Sequence, residues 1–348
     1  MIELAISQSL ATSEATPIVA WRAFARRADE AGLSFVGMAD VVTRNFELTV
    51  GLTALALSTE RIRVVSTVTN PLLRHPGVTA AAFASLQRIS GGRMALGIGT
   101  GDSVLHNLGL RPARLAEVRE HVEVFRSLLA TGRAVYRGSE CRLPWAPELA
   151  PAGVPVFLAA KGPKALRLAG EIADGVLTGQ GFSPDVVEQT LAYVREGAEA
   201  TGREADDVEV WFHAPVAVDD DPEAARDAVL GDAVAAARMP GWCAALTSPA
   251  VPDEIRAAVG RLRERYDLST HAARSSSNAR LALDEGLADF LARWYGIAGT
   301  AEEVAGRFRE LEAIGVRRLY VATASEDPLA LLDGVLRARA LTAPAAAG

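Results

Sequence analysis

The stretch "RVVSTVTNPLLRHPGVTAAAFASLQRISGGRMALGIG", residues 63–99, predicts a strand, a helix and a second strand in succession. Arg63–Thr69 is short and rich in β-branched residues, which is typical of a strand. Gly77–Ile89 has the length of a helix and follows a proline, a residue favoured at the first helical turn. Met94–Gly99 is the next short apolar run. This alternation is the signature of βα units that build a parallel sheet.

The same alternation runs along most of the chain. Six further strands are predicted, at Ile2–Ser7, Ser34–Asp40, Val154–Ala160, Gly175–Gly179, Val208–Val218 and Arg317–Thr323. Eight strands, each followed by a helix, favour an α/β fold of the (β/α)8 TIM-barrel type. A doubly wound sheet is the alternative, although it usually has fewer strands per domain.

The segment between the seventh and eighth strands is too long for a simple connection. It contains helical patterns at Asp253–Tyr266 and near Leu281–Tyr295, so we predict a helical insertion over residues 219–296 that covers the barrel mouth. Residues 134–151 are rich in turn formers and predict a surface excursion. We therefore expect a single domain over residues 1–341 and a disordered tail at 342–348.

Composition excludes several classes of function. The formal net charge is −7 and there is no basic run, so neither nucleic acid nor an anionic membrane is an expected partner. The two cysteines have no metal-ligand spacing and fit a reducing compartment. The N-terminus lacks the features of a signal peptide, and no apolar run reaches the length of a membrane span. These observations predict a cytoplasmic globular protein without a metal site.

The glycines that end the fourth strand raise the question of whether they form a nucleotide-binding motif. Gly97, Gly99 and Gly101 follow the spacing G-x-G-x-G, which is neither the dinucleotide fingerprint nor the P-loop. At strand periodicity the three face one side, where missing side chains would let a flat molecule approach the backbone. A narrow barrel interior that needs small residues is an equal alternative. Asp102 follows them, either as a helix cap or as a ligand contact.

The active site of a TIM barrel lies at the carboxyl ends of its strands. The polar and glycine-rich residues that fall there are Ser7, Asp40, Thr67, Thr69, Asn70, Gly99–Asp102, Ala160–Gly162, Gly179–Gly181 and His213. This set contains no nucleophile triad, metal cluster or close glutamate pair, which suggests that a cofactor supplies the chemistry. Lys161 and Lys164, the only lysines in the chain, lie at a strand-to-helix turn that favours an anion such as phosphate. Two ordinary surface lysines are the alternative interpretation.

Residues 68–102, with "PVFLAAKGPKALRLAGEIADGVLTG" and "GTAEEVAGRFRELEAIGVRRLYV", resemble the luciferase-like flavin oxidoreductase superfamily. The likeness is to its branch that uses the deazaflavin coenzyme F420, which includes methylenetetrahydromethanopterin reductase. It implies that Asp40 and Asn70 contact the ring and that the Thr67–Val68 peptide bond is cis. It further implies cofactor contacts from Val68, Thr100, Gly101 and Asp102, and a phosphate held by the amides of Ala160, Lys161, Gly162, Gly179, Gln180 and Gly181. Relatives of this kind are often homodimers.

Two departures from the family pattern limit what the resemblance implies. The methylenetetrahydromethanopterin reductase-like proteins have a glutamate where this chain has Ser7, and often a histidine where it has Val41. Without these proton-handling groups the pterin substrate is not carried over. Asp40, a water held by Ser7 and Gln8, or the substrate itself is then the expected proton donor, with Asp40, Ser7 and Asn70 as the catalytic candidates.

Three functions follow as hypotheses. The first is an F420-dependent oxidoreductase that transfers a hydride to or from a small organic substrate. The second is an FMN-dependent monooxygenase of the same fold, since FMN shares the tricyclic ring. The third is a non-catalytic flavin-binding protein, because family membership does not guarantee retained catalysis.

Overall fold

A computed structural model describes residues 1–7, 18–42, 46–239, 243–271, 276–322, 325 and 327–342. The predicted tail therefore lies almost entirely outside the described residues. The strands are β1 (Glu3–Ser7), β2 (Phe35–Met38), β3 (Arg63–Ser66), β4 (Met94–Ile98), β5 (Arg133–Tyr136), β6 (Ser139–Arg142), β7 (Val156–Ala159), β8 (Gly175–Thr178), β9 (Glu209–Ala214), β10 (Val216–Val218), β11 (Ile297–Gly299) and β12 (Arg318–Val321).

The helices alternate with these strands. They are α1 (Ile18–Glu30), α2 (Leu48–Ala56), α3 (Pro76–Ser90), α4 (Ser103–Asn107), α5 (Leu115–Thr131), α6 (Ala146–Leu149), α7 (Pro163–Ile172), α8 (Pro184–Glu199), α9 (Pro222–Arg238), α10 (Ala244–Thr247), α11 (Asp253–Arg265), α12 (Ser277–Asp284), α13 (Ala288–Tyr295), α14 (Ala301–Ala313) and α15 (Pro328–Ala340). Two short 3₁₀ turns at Ala205–Asp207 and Leu268–Thr270 complete the described elements.

Within the described residues, eight parallel strands close into a barrel in the order β1-β12-β9-β8-β7-β4-β3-β2. The α/β TIM-barrel prediction is therefore confirmed, and so is the insertion between the seventh and eighth barrel strands, β9 and β12. Helices α9–α13 form that insertion and share a hydrophobic cluster of their own, which includes Leu230, Val234, Val259, Leu262 and Leu291.

Two sequence predictions of elements were wrong in detail. The strand expected at Val208–Val218 is broken at Pro215, which has no N–H to continue the ladder. Its first part, β9, belongs to the barrel, whereas β10 pairs with β11 in a separate two-stranded sheet. The helix expected near Leu281–Tyr295 is two helices, because Gly286 between them has a left-handed backbone with φ of 68°. The excursion at 134–151 holds the β5–β6 hairpin and α6.

The barrel interior is filled at one level and nearly empty at the next. Ala5, Phe35, Val65, Ala95, Phe157, Leu177 and Trp211 form one interior cluster, and Tyr320 packs against it. Because side chains alternate along a strand, the next inward position on each strand lies two residues further toward the carboxyl end. These positions, which we call the mouth layer, are Ser7, Gly37, Thr67, Gly97, Ala159, Gly179, His213 and Ala322. Six of the eight are Gly, Ala or Ser, and a seventh is the small Thr67, so the layer leaves space above the aromatic core.

The described part of the chain shows neither a membrane helix nor a metal cluster. None of its helices combines the length and apolar character needed to cross a bilayer. Nor does that part of the chain bring three His, Cys, Asp or Glu side chains together in a way that could hold a metal ion.

Candidate active site

A large cavity lies at the carboxyl ends of the barrel strands, directly above the mouth layer. Its volume is about 840 Å³, and it is bounded on one side by strand ends and on the other by the insertion. Ten of the fourteen predicted site residues line it, namely Ser7, Thr67, Val68, Thr100, Gly101, Asp102, Ala160, Lys161, Gly162 and Gly179. The strand-end rule therefore locates this cavity from the sequence.

The three glycines of the fourth strand do different things: Gly97 and Gly99 lie on the barrel-facing side, as the strand periodicity predicts, whereas Gly101 does not continue the strand. Gly97 has no room for a side chain, because a Cβ there would lie 1.8 Å from the carbonyl oxygen of Ser66 on β3. Gly99 lines the cavity, and the nearest atoms to a Cβ there would be the Ala159 methyl group at 3.0 Å, Val68 Cγ2 at 3.5 Å and the Ala159 carbonyl oxygen at 3.6 Å. Gly101 is already outside β4, in a left-handed conformation with φ of 76°. Close packing thus explains Gly97, and an open cavity wall explains Gly99.

The wall beside β3 has the backbone that the resemblance implies. The peptide bond between Thr67 and Val68 is cis, and both residues line the cavity. The Thr67 hydroxyl forms a hydrogen bond with the Ser7 hydroxyl across β2, where Gly37 has no side chain to separate them. Ser7 and Thr67 thus form a small polar wall in place of a longer acidic side chain.

Asp40 and Asn70 do not line the cavity, although Ala39 and Val41 do. The Asp40 carboxylate is buried and accepts hydrogen bonds from Thr69 Oγ1 at 2.6 Å and from the Arg74 guanidinium. Arg74 also pairs with Glu47. Asn70 Oδ1 accepts hydrogen bonds from the amides of residues 72 and 73 at 3.0 and 3.2 Å. Both side chains therefore stabilise the loop after β3, and their proposed contact with the ring stays a prediction.

Asp102 is held by the insertion. Both of its carboxylate oxygens accept hydrogen bonds from Arg238 Nη2, at 2.9 and 2.8 Å, and the two side chains are only 17% and 11% exposed. Asp102 occupies the N-cap position of α4, but its side chain makes no capping hydrogen bond. The capping interpretation was therefore wrong. The signal that sequence reasoning missed is Arg238, the last residue of α9, which ties the insertion to the barrel rim.

Lys161 and Lys164 both line the cavity at the start of α7. Lys164 is exposed, whereas Lys161 reaches inward, and burial lowers the Lys161 pKa to about 8. The Asp102 carboxylate opposes that shift and the Arg238 guanidinium adds to it. Lys161 is therefore mostly protonated at neutral pH although it is poorly solvated. An anionic group of a ligand is stabilised most strongly by a positive charge in such surroundings.

The segment after β8 is divided between two cavities. Gly179 lines the large one, where its missing side chain makes room for His213. Gln180 lines a smaller cavity of about 290 Å³ that meets the large one at Lys161, and its Nε2 is buried without a hydrogen-bond partner among the described residues. Gly181 packs against the indole of Trp294, with φ of 106°. Gly181 therefore supports the wall from behind.

Sequence reasoning gave no role to two aromatic side chains of the cavity. His213 on β9 and Tyr320 on β12 are paired in register, and their ring centroids are 5.0 Å apart. His213 had been selected by its strand-end position alone. The insertion adds Asp232, Met239 and His271 to the cavity, which no periodicity could place there.

Comparison with known proteins agrees with this geometry. The family model described as luciferase-like monooxygenase matches residues 3–318. The 5,10-methylenetetrahydromethanopterin reductase of Archaeoglobus fulgidus is 30% identical over 307 residues, which is 86% of this chain and 88% of that protein. The F420-dependent glucose-6-phosphate dehydrogenase of Nakamurella multipartita is 37% identical over 183 residues, 50% of this chain and 54% of that protein.

A solved structure shows the same fold over nearly the whole chain. The coenzyme F420 dependent tetrahydromethanopterin reductase from Methanopyrus kandleri superimposes with a TM-score of 0.72 at 23% identity, over 95% of this chain and 97% of its own. The family model and the Archaeoglobus fulgidus relative confirm the resemblance carried by the sequence motifs, and this structure confirms the fold.

Proposed function

The chain belongs to the luciferase-like monooxygenase family of oxidoreductases, and on that premise we propose that it transfers a hydride between coenzyme F420 and a small organic substrate. The observation that carries the proposal is the large cavity above a mouth layer of small residues, with Lys161 at its rim. Relatives named for F420 dependence support the deazaflavin as the cofactor.

The residues present fit a tricyclic ring with a phosphate-bearing tail. A volume of about 840 Å³ is in the range of cofactor sites, and the wall at Gly99 offers backbone rather than side chain. Gln180 lines the smaller cavity that meets the large one at Lys161, and its Nε2 is buried without a hydrogen-bond partner among the described residues. Such an orphaned polar atom is explained by a polar ligand that bonds to it.

The position of each group at the cavity indicates which residues would hold the cofactor. Val68, Gly99 and Ala159 would pack on the ring, and Lys161 with the amides at the start of α7 would hold the phosphate. When bound, a deazaflavin supplies two-electron hydride exchange. The protein contributes a rigid wall and an insertion, fixed by the Arg238–Asp102 ion pair, that excludes water from the cavity.

We propose a small organic substrate other than the pterin, held between the strand ends and the insertion. Ser7 and Val41 lack the acidic and imidazole groups of the reductase-like pattern, and Met239 with His271 forms the opposite side. A homodimer and a cytoplasmic location stay predictions.

A binding titration tests the cofactor. Quenching of tryptophan fluorescence by F420 at low micromolar concentration, with FMN inert, is the expected result. The reverse outcome would assign the chain to FMN chemistry, and binding of neither would overturn the proposal. Binding of F420 without single-turnover oxidation of the reduced form by any of a panel of carbonyl, imine and enone acceptors would favour the non-catalytic alternative.

A double variant, Lys161→Gln with Lys164→Gln, probes the phosphate. It should weaken F420 more than it weakens a riboflavin-like deazaflavin that lacks the phosphate. Equal losses for the two ligands would show that the turn at α7 does not recognise the phosphate.

A further inference from the structure

His213 is the one titratable side chain of the mouth layer. Its neighbours in that layer are Ala322, directly after β12, and Gly179, directly after β8, and Gly179 leaves room because a Cβ there would lie 3.2 Å from His213 Nδ1. The ring also lies beside Tyr320, which packs on the aromatic core below. The imidazole is therefore fixed at the base of the cavity, with one side open to whatever the cavity holds.

The charged groups around His213 come from three directions. Lys161 approaches from the turn after β7, and its positive charge acts on the imidazole. On the insertion side Asp232 and His271 line the same cavity, and Asp102 is there already paired with Arg238. Burial first, and then Lys161, lower the His213 pKa to about 4, against a hydrogen bond to the Ala322 backbone that raises it. Burial also raises the pKa of Tyr320, so the phenol stays neutral.

We propose that His213 takes up a proton when the cavity holds the hydride-reduced ring, and so neutralises the negative charge that the reduction leaves on it. The inference rests on the proposed function. It places at His213 the acid–base role that the sequence suggested for Asp40, whose carboxylate is bound to Arg74 outside the cavity.

The charge balance requires such a group. A hydride is a proton with two electrons, so its addition to a neutral ring gives an anion. The anion in a poorly solvated cavity favours protonation of a nearby base, because an opposite charge stabilises the charged form of that base. The proton comes from solvent, His213 becomes imidazolium, and the pair of ring and side chain is neutral. Transfer of the hydride to a substrate would leave the negative charge on that substrate, and the His213 proton would go to it, so His213 would be neutral again.

Calorimetry of binding measures this proton directly and needs no substrate. F420 and the anaerobically reduced cofactor are titrated slightly above neutral pH, with the free reduced ring in its anionic form F420H⁻, in buffers of different ionisation enthalpy, which gives the number of protons taken up with each ring form. With a free-state pKa of about 4, His213 is neutral before binding, so F420H⁻ should take up about one proton more than F420. Lys161, with its pKa of about 8, is already mostly protonated there and adds little.

His213→Gln should keep binding of both forms within roughly tenfold and lose the extra proton. His121→Gln is the matched control, because His121 is also buried with a pKa of about 4 but lies between α3 and α5, away from the cavity. Extra uptake that persists in His213→Gln, or that is absent from the wild type, overturns the proposal. Failure of both ring forms to bind counts instead against the proposed function.

A second measurement decides the case if His213→Gln does not fold. In the wild type, one histidine resonance that has neutral shifts with F420 must show imidazolium shifts with F420H2. Unchanged histidine resonances in the reduced complex overturn the proposal.

Discussion

Gly97 and Gly99 are two positions apart on one strand, and the structure predicts opposite consequences when each is replaced by alanine. At Gly97 the added methyl group meets the Ser66 carbonyl oxygen at 1.8 Å and its carbon at 3.0 Å. These are backbone atoms of β3, which cannot turn away as a side chain would. At Gly99 the nearest atom is the Ala159 methyl group at 3.0 Å, and the position faces the cavity.

The cost of Gly97→Ala is that of overpacking a rigid core. Such insertions typically cost about 1–3 kcal/mol, and a backbone obstacle puts this one at the upper end, near 3 kcal/mol. The Ser66 hydroxyl adds to the loss, since it accepts from the Gly97 amide at 2.8 Å and donates to the Gly97 carbonyl at 2.9 Å. At roughly 2 °C per kcal/mol for a domain of this size, the melting temperature should fall by roughly 6 °C.

Thermal unfolding by calorimetry, followed by an F420 titration of each folded variant, measures both effects. Gly99→Ala should melt within roughly 2 °C of the wild type and yet weaken F420, because the methyl group occupies the wall that the ring approaches. Equal melting temperatures for Gly97→Ala and the wild type would falsify the close-packing argument. Unchanged F420 affinity in Gly99→Ala would show that the ring does not lie against this strand.

The ion pair at the cavity rim should couple the insertion to the barrel: a double-mutant cycle with Asp102→Asn and Arg238→Met is expected to give about 1–3 kcal/mol of coupling in urea unfolding. A coupling energy near zero would contradict the conclusion that the Asp102–Arg238 ion pair holds the insertion on the barrel. Lys161→Gln should raise the His213 pKa, since the lysine charge helps to lower it; an NMR titration of the ligand-free protein in which that pKa stays near 4 would contradict the electrostatic assignment. His121, buried beside Thr79 with a pKa of about 4, binds a proton more readily when unfolded. Its contribution to stability is therefore present above about pH 6.5 and lost as the pH falls toward 4, and His121→Gln should flatten the unfolding free energy over that window.

Local sequence patterns were sufficient to predict the barrel. Apolar runs of four to six residues, with proline at the first turn of the helices that begin at residues 76, 163 and 184, predict βα units that the structure reproduces. The errors occur where a local signal competes with pairing to a distant segment. The run at Val208–Val218 is mostly apolar and Pro215 interrupts it, but its end pairs outside the barrel because β11 lies there, and the partner of Val216 is Ile297, 81 positions later.

The sequence predicts those residues of the site that lie at the ends of barrel strands. A rule about where strands end selects Ser7, Thr67, Lys161 and His213 without knowledge of the ligand. It selects Asp40 equally well, because one residue of offset at a strand end decides whether a side chain enters the cavity or the loop behind it. Arg74 determined that outcome, and an ion pair between residues 34 positions apart leaves no periodic trace in the sequence.

The missing acidic side chain and the buried imidazole have a common physical cause. The Lys161 charge favours binding of an anionic ring, whereas a carboxylate without a cationic partner would oppose it. Here the carboxylates of Asp40 and Asp102 are each paired with an arginine. With those charges removed, His213 is the mouth-layer group that can change its charge state in response to the ring. A histidine whose empty-cavity pKa lies well below neutrality holds no charge until an anion arrives, so the cavity discriminates between the two redox states by the proton it binds.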